Sequence, residues 1–385
     1  MSSRDPSEQQ PANPPRAAID ALRRWSASPL PELLALLALW ALESRLLQIW
    51  LLLDTRPPRW DESLFLQATN AWSEFWSGPS FESLSTAATT GVAKAPPFWT
   101  ALMGAVQALR GSDTDELVWI SNSLALLLLM LATYMLGRRL FGRFTATIAA
   151  ALVTLFSGVV LLTRLYLLDV QYAAVVTLAV FGLARLTRRR NRRRDLALAT
   201  ALIALACFTR WQSVLYLWLP VLYVAGRAWR QERRSGASSA TTLRRLGIPV
   251  ILLGLSVAVV LAPFALANLT ALREVAARNA GPTANPTRYD FGWYLTTWPE
   301  LELLDQLLLL ALIGVGIVVA LWKFRLAAVL LLSWIASGYL VLSILPKDPR
   351  YDMPMMPALA LLACAPWRQF PGGVDRGCSG RRSAC

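Results

Sequence analysis

Long apolar runs broken by short polar stretches dominate this chain. Runs of ~20 residues, the length that crosses a hydrocarbon core ~30 Å thick, recur from Leu30 to Pro366. They are continuous rather than alternating, which points to helices and away from a membrane β-barrel. The pattern predicts spans at Pro31–Leu53, Leu117–Leu136, Phe144–Leu162, Leu168–Ala184, Asp195–Phe208, Trp211–Gly226, Leu246–Ala267, Leu303–Trp322, Leu326–Leu345 and Pro354–Pro366. The expected fold class is an all-α polytopic membrane protein, a bundle of about ten transmembrane helices. Residues 1–30, rich in Pro, Ala and Ser, read as a disordered cytoplasmic tail. Residues 31–366 then form the membrane domain, and 367–385 a short C-terminal tail that reads as truncated.

The apolar piece Pro97–Leu109 is too short to span and reads as interfacial or re-entrant. Charge supports leaving it out. Without it, the basic loops Gly137–Arg143, Arg185–Arg194, Arg227–Arg245 and Lys323–Arg325 all fall on the inside, as the positive-inside rule expects. The N-terminus is then cytoplasmic, and Asp54–Glu116 is one long outer loop. Within it, Ser63–Trp76 reads as an amphipathic interfacial helix, with Leu64, Ala68, Ala71, Trp72, Phe75 and Trp76 on one face.

Composition narrows the chemistry. The net charge of +14 comes largely from arginines in short inside loops, so a nucleic-acid partner is not expected and a membrane lipid surface is. With no histidine, the commonest general base and metal ligand are both missing. Cys207, Cys364, Cys378 and Cys385 form neither a CxxC nor a zinc-type spacing. Asp113-Thr114-Asp115-Glu116 resembles a metal-binding D-x-D but reads better as the acidic first turn of a helix. No metal and no cofactor are expected.

The remaining charges come out on the outer side. Asp61 and Glu62 follow the first span; they either cap the next helix or supply a carboxylate, ionised at neutral pH, as a general base. Lys94, before Pro96-Pro97, is either a snorkelling lysine or a fixed cation at phosphate level. Arg164 and Asp169 flank a tight hairpin between spans. Arg210 makes an abrupt polar break between two apolar runs, where a guanidinium suits phosphate oxygens. Thr287-Arg288-Tyr289-Asp290 and Arg350-Tyr351-Asp352, with Lys347 just before, share an Arg-Tyr-Asp triplet that suits a sugar or headgroup, and equally an interfacial belt.

The order of these elements resembles the GT-C glycosyltransferases of the protein O-mannosyltransferase and aminoarabinose-transferase type, glycosyltransferase family 39-like. The resemblance rests on Asp61-Glu62 after the first span, Lys94 before Pro-Pro, Leu136–Gly142 at an inside turn, Thr163-Arg164-Leu165 with Asp169, Phe208-Thr209-Arg210, and Arg350-Tyr351 before Pro354 and Pro357. It implies a GT-C bundle in which a polyprenyl-phosphate-linked sugar is the donor and a glycan, lipid or protein outside the cytoplasm is the acceptor. It implies Asp61 as the catalytic base with Glu62 beside it, and Lys94 and Arg210, with Arg164 or Arg288, as donor-phosphate ligands. Asp169, Tyr289, Lys347, Arg350 and Tyr351 are candidates for substrate contact. It places the protein in a bacterial plasma membrane with the active site outward. Trp211-Gln212 stands where the family has Gly-Pro. The alternatives are a transporter or lipid flippase, which would put polar groups near mid-span, and a catalytically inactive relative.

Overall fold

The structure is a computed structural model. It describes residues 28–58, 60–90, 96–187, 192–234, 306–343 and 348–369, with scattered positions between 254 and 277. Every described element is helical. In chain order they are α1 (Leu30–Leu53), α2 (Trp60–Ser77), α3 (Phe81–Thr89), α4 (Phe98–Arg110), α5 (Thr114–Leu140), α6 (Arg143–Thr154), α7 (Ser157–Leu162), α8 (Asp169–Leu186), α9 (Arg192–Thr209), α10 (Ser213–Arg234), α11 (Gln306–Lys323), α12 (Arg325–Leu342) and α13 (Met356–Cys364). Short 3₁₀ helices at Pro349–Met355 and Ala365–Gln369 flank α13. Among the described residues, α1, α5 and α8 are long and apolar enough to cross a membrane, and α6, 308–323 and 325–340 are shorter apolar helices.

The helix at the centre is α8. Nearly all its side chains are buried, and it packs on α5, α9, α10 and the first 3₁₀ helix. By contrast α1 lies at the edge, with Leu42, Leu46, Leu52 and Leu53 more than half exposed. Such a leucine-covered rim suits hydrocarbon rather than water. Polar groups join α1 to α5: Ser44 Oγ lies 2.8 Å from Ser123 Oγ, Trp40 Nε1 donates to the Ser123 carbonyl at 2.7 Å, and Trp119 Nε1 donates to the Ser44 carbonyl at 3.0 Å. With no water to compete, such bonds hold one membrane helix to another.

Local chemistry explains most boundaries. Past Asp54, Pro57 and Pro58 prevent α1 from continuing. Asp113 caps α5, accepting the Glu116 N–H at 2.8 Å, so the D-x-D stretch is a helix start. Gly111 ends α4 at φ +64° and Gly142 turns α5 into α6 at φ +101°, where only glycine is unstrained.

The structure departs from the expected spans at two described places. Phe144–Leu162 is not one helix. Thr154 bends its hydroxyl to the Ala151 carbonyl and to Glu43, Phe156 is extended at φ −62°, ψ 132°, and α7 restarts at Ser157. Pro354–Pro366 contains only the nine-residue α13, because Pro349 to Met355 wind as 3₁₀. The expected span Leu246–Ala267 lies largely outside the described residues. The amphipathic helix expected at Ser63–Trp76 does form, as α2. Its apolar side (Phe65, Ala68, Ala71, Trp72) is buried against α4 and α3. Trp76 sits at its edge, exposed, donating to the Ala101 carbonyl at 3.0 Å. At Gly104 of α4 a Cβ would lie 2.6 Å from Trp72 Cβ and 2.8 Å from the Ser73 amide, so the two helices approach backbone to backbone.

Candidate active site

The N-terminus of α2 fixes the first acids. Asp61 and Glu62 lie in its first turn, where the helix dipole favours negative charge. Glu62 Oε1 accepts the Tyr166 backbone N–H at 3.0 Å, which ties α2 to the hairpin between α7 and α8. The same hairpin is held from α5, where Asn122 Nδ2 donates to the Thr163 and Leu165 carbonyls at 2.9 and 2.8 Å. From inside, the buried Tyr166 hydroxyl lies 2.9 Å from Thr69 Oγ1. Burial pushes the Tyr166 phenol well above its ordinary value, so it stays neutral.

That hairpin delivers Asp169 to the start of α8, and the junction of α9 and α10 delivers Arg210. Both are buried, with side-chain exposures of 1% and 8%, and their side chains form an ion pair. The junction is built to hold an arginine. Arg210 N donates to the Ala206 carbonyl at 3.0 Å, and Ser213 Oγ reaches the same carbonyl at 2.6 Å. The guanidinium carbon lies 5.3 Å from the Tyr172 ring centre and 5.7 Å from that of Tyr351, within cation–π range. Among the described residues, Arg210 Nε has no hydrogen-bond partner.

Tyr351 belongs to the 3₁₀ helix that precedes α13. Tyr216 of α10 donates its hydroxyl to the Tyr351 carbonyl. Gly338 of α12 makes room for this contact: a Cβ there would lie 2.7 Å from Met355 Sδ and 2.8 Å from Tyr216 Cδ1. The neighbouring Arg350 grips Asp348 with Nη2 at 2.6 Å and Nε at 2.9 Å, and reaches Asp61 Oδ2 with Nη1 at 3.3 Å. Burial works against the Arg350 cation. The hydrogen bonds from Asp348 and the charges of Asp169, Asp348 and Asp61 outweigh it and hold the guanidinium above its ordinary pKa.

Of the residues singled out from sequence, the structure therefore brings Asp61, Arg350, Tyr351, Arg210 and Asp169 together. Glu62 and Arg164 line an adjoining cavity of about 270 Å³ with Asp54, Arg56, Asp115 and Tyr166. The Arg164 guanidinium lies 5.4 Å from the Trp50 ring centre. Lys94, Arg288, Tyr289 and Lys347 lie outside the described residues. Sequence reasoning named Asp352 only as the end of the Arg-Tyr-Asp triplet and gave it no role of its own, yet its side chain is fully buried beside this cluster; it gave no role to Asp348, the clamp on Arg350. The Arg-Tyr-Asp triplet and the acid before Pro349 were the available signals. Among the described residues, no group of three His, Cys, Asp or Glu side chains is placed to hold a metal ion.

A fixed anion beside an arginine, next to a buried arginine with a spare N–H, offers a proton acceptor and an oxyanion ligand at one end of a helical bundle. The comparisons supply the fold. The family model described as "Dolichyl-phosphate-mannose-protein mannosyltransferase" matches residues 94–266. Two crystal structures of ArnT from Cupriavidus metallidurans share the architecture at TM-score 0.60 and 17% identity. The one bound to undecaprenyl phosphate covers 89% of this chain, and the one in the apo state covers 91%. This chain has the GT-C fold. The resemblance and the fold class read from the motifs are thereby borne out, and the chain is an integral membrane protein. It spans 60% of the length of the ArnT chain in both comparisons. No curated protein sequence matches it. Within the GT-C match, the family model covers α4 to α10, including Arg164, Asp169 and Arg210, and stops short of Asp61 and Arg350.

Proposed function

We propose that this protein is a membrane glycosyltransferase that moves a sugar from a polyprenyl-phosphate donor to an acceptor hydroxyl on the non-cytoplasmic face, with residues 31–366 as one transferase domain. The observation that carries this reading is the Asp61–Arg350 pair, 3.3 Å apart, next to the buried Arg210–Asp169 pair on a GT-C fold. The ArnT structure bound to undecaprenyl phosphate supports a donor of the same class.

In the proposed reaction Asp61 takes the proton of the acceptor hydroxyl as its oxygen attacks the anomeric carbon. The bond from that carbon to the phosphate oxygen breaks on the opposite face, inverting the configuration and releasing polyprenyl phosphate. Arg350 aims the Asp61 carboxylate, and Asp348 in turn fixes Arg350. The Nε of Arg210, which has no hydrogen-bond partner among the described residues, and the Arg164 guanidinium, joined by Lys94 and Arg288, hold the charge that grows on the leaving phosphate. Oriented donors of this kind act most strongly where water is excluded, and Arg210 and Asp169 are nearly inaccessible to it. These cations neutralise the phosphate without a metal, so transfer is proposed to be metal-independent. Sugars on cytoplasmic nucleotides do not cross the membrane freely, which is why a lipid-linked donor is required.

The test is a transfer assay with purified protein, a radiolabelled polyprenyl-phosphate sugar and bacterial envelope acceptors, with chelator present. Label should leave the lipid donor and enter the acceptor. An intact donor after prolonged incubation, or transfer from a nucleotide sugar instead, would overturn the reading.

A further inference from the structure

At the opposite end of α10 lies a second polar site that the transfer reaction does not use. The 22 residues of α10 rise ~33 Å at 1.5 Å each. Arg227, Arg230 and Arg234 therefore lie ~21–32 Å along the helix from Ser213, toward its far end. They recur at helical spacing on one face of α10, below Tyr223. Across from them stands Arg325, the first residue of α12. Together with Gln231, Leu222, Leu326 and Val329 they line a cavity of about 750 Å³. Its wall is fixed where the Tyr223 hydroxyl donates to the Leu326 carbonyl at 3.3 Å.

Basic residues at this face are expected from membrane insertion alone, and Arg234 suits the C-terminal end of a helix. Insertion accounts for the side of the membrane on which Arg325 lies but not for its place within a helix. Arg325 sits at the N-terminus of α12, where the helix dipole disfavours a cation, and the first turn holds no acid to offset it. No carboxylate is among the described residues that line the cavity, and none of the four arginines forms an ion pair with a described acid. Four guanidiniums and a positive helix end converge on one space whose described lining holds no acid. At its lip, Leu222 and Leu326 are 58% and 50% exposed, as acyl-chain contacts would be.

We propose that this cavity binds the phosphodiester headgroup of an acidic phospholipid in the cytoplasmic leaflet, with the guanidiniums on the phosphate and the leucines along the first methylenes. Charge complementarity and the joined basic and apolar walls favour a lipid over a soluble anion. The site is independent of the transferase reading, since its test measures lipid binding and not turnover.

The experiment is native mass spectrometry of the delipidated full-length protein, titrated with phosphatidylglycerol or phosphatidylcholine. Near a membrane surface each arginine is worth roughly fivefold in affinity. Phosphatidylglycerol should bind the wild type on the order of 100-fold more tightly than it binds the triple variant R227Q/R230Q/R325Q. The single variant Arg230→Gln, which changes one exposed side chain, should lose about fivefold and carries the test if the triple variant does not fold. Equal binding of the two lipids by the wild type, or no loss in Arg230→Gln, would overturn the proposal. Displacement of phosphatidylglycerol by millimolar inorganic phosphate would assign the cavity to a soluble anion and overturn the lipid assignment as well.

Discussion

Breaking the Arg210–Asp169 pair is the sharpest structural perturbation available. With side-chain exposures of 8% and 1%, neither charge is screened by solvent. Removing one partner leaves the other as an uncompensated buried charge, at a cost of about 3–5 kcal/mol. For Asp169→Asn we expect the lower end, ~3 kcal/mol, because the Tyr172 and Tyr351 rings at 5.3 and 5.7 Å still stabilise the cation, by ~0.5–2 kcal/mol. For Arg210→Met the orphan is a buried carboxylate whose remaining cationic neighbour, Arg350, is already gripped by Asp348, so the loss should be larger. In the double variant D169N/R210M neither member of the pair carries a charge. It should recover at least ~2 kcal/mol relative to the sum of the singles, since residues in contact couple on this scale. Unfolding of purified protein in mixed micelles, titrated with dodecyl sulfate and followed by far-ultraviolet dichroism, reads all four corners of the cycle. Additivity within ~0.5 kcal/mol would refute the claim that the two side chains act as one buried unit.

Other consequences follow from single contacts. Gly338→Val drives a side chain into Met355 and Tyr216, which a Cβ alone would meet at 2.7 and 2.8 Å; a loss of about 2–3 kcal/mol in the same unfolding assay is expected, and an unchanged midpoint would contradict the packing. Arg350→Lys keeps the charge but cannot grip Asp348 with a fork and reach Asp61 as well, so turnover should fall about tenfold or more with the fold intact. Wild-type turnover in that variant would remove Arg350 as the group that positions Asp61. In a cysteine-free background, a cysteine at Ser83 should react with an impermeant thiol reagent added from outside and one at Ser238 should not. The reverse pattern would invert the membrane orientation and with it the proposed outward-facing site.

Much of the fold was legible because local chemistry decides it. The prolines after α1 and the acids that open α2 and α5 act within a few residues of themselves. The break at Leu155-Phe156 was not legible. It lies inside an unbroken apolar run, and its cause is a threonine whose hydroxyl turns to Glu43 on another helix. Likewise Trp76 was placed with the apolar face of α2 by periodicity, but the position of α4 decides which side of that helix is covered. The candidate site was legible as a set of charges on one surface and illegible as a set of pairs. Arg350 and Asp61 are 289 residues apart, and Tyr216 finds the Tyr351 carbonyl across 135. Pairings of that range depend on how helices pack, which no window along the chain records. Asp348 showed nothing in its neighbourhood beyond being an acid before a proline, yet it clamps the arginine that holds Asp61.

The central claim is that the Asp61 carboxylate takes a proton and does not hold the donor. Asp61→Asn separates the two, because the amide keeps the shape and cannot accept that proton. Equilibrium binding of a polyprenyl-phosphate sugar and its single-turnover transfer should be measured side by side on the purified wild type and Asp61→Asn. Binding should stay within about threefold, and transfer should drop ~10²–10⁴-fold, the usual worth of general-base help. Transfer at the wild-type rate by Asp61→Asn, or equal losses in binding and transfer, would contradict the account.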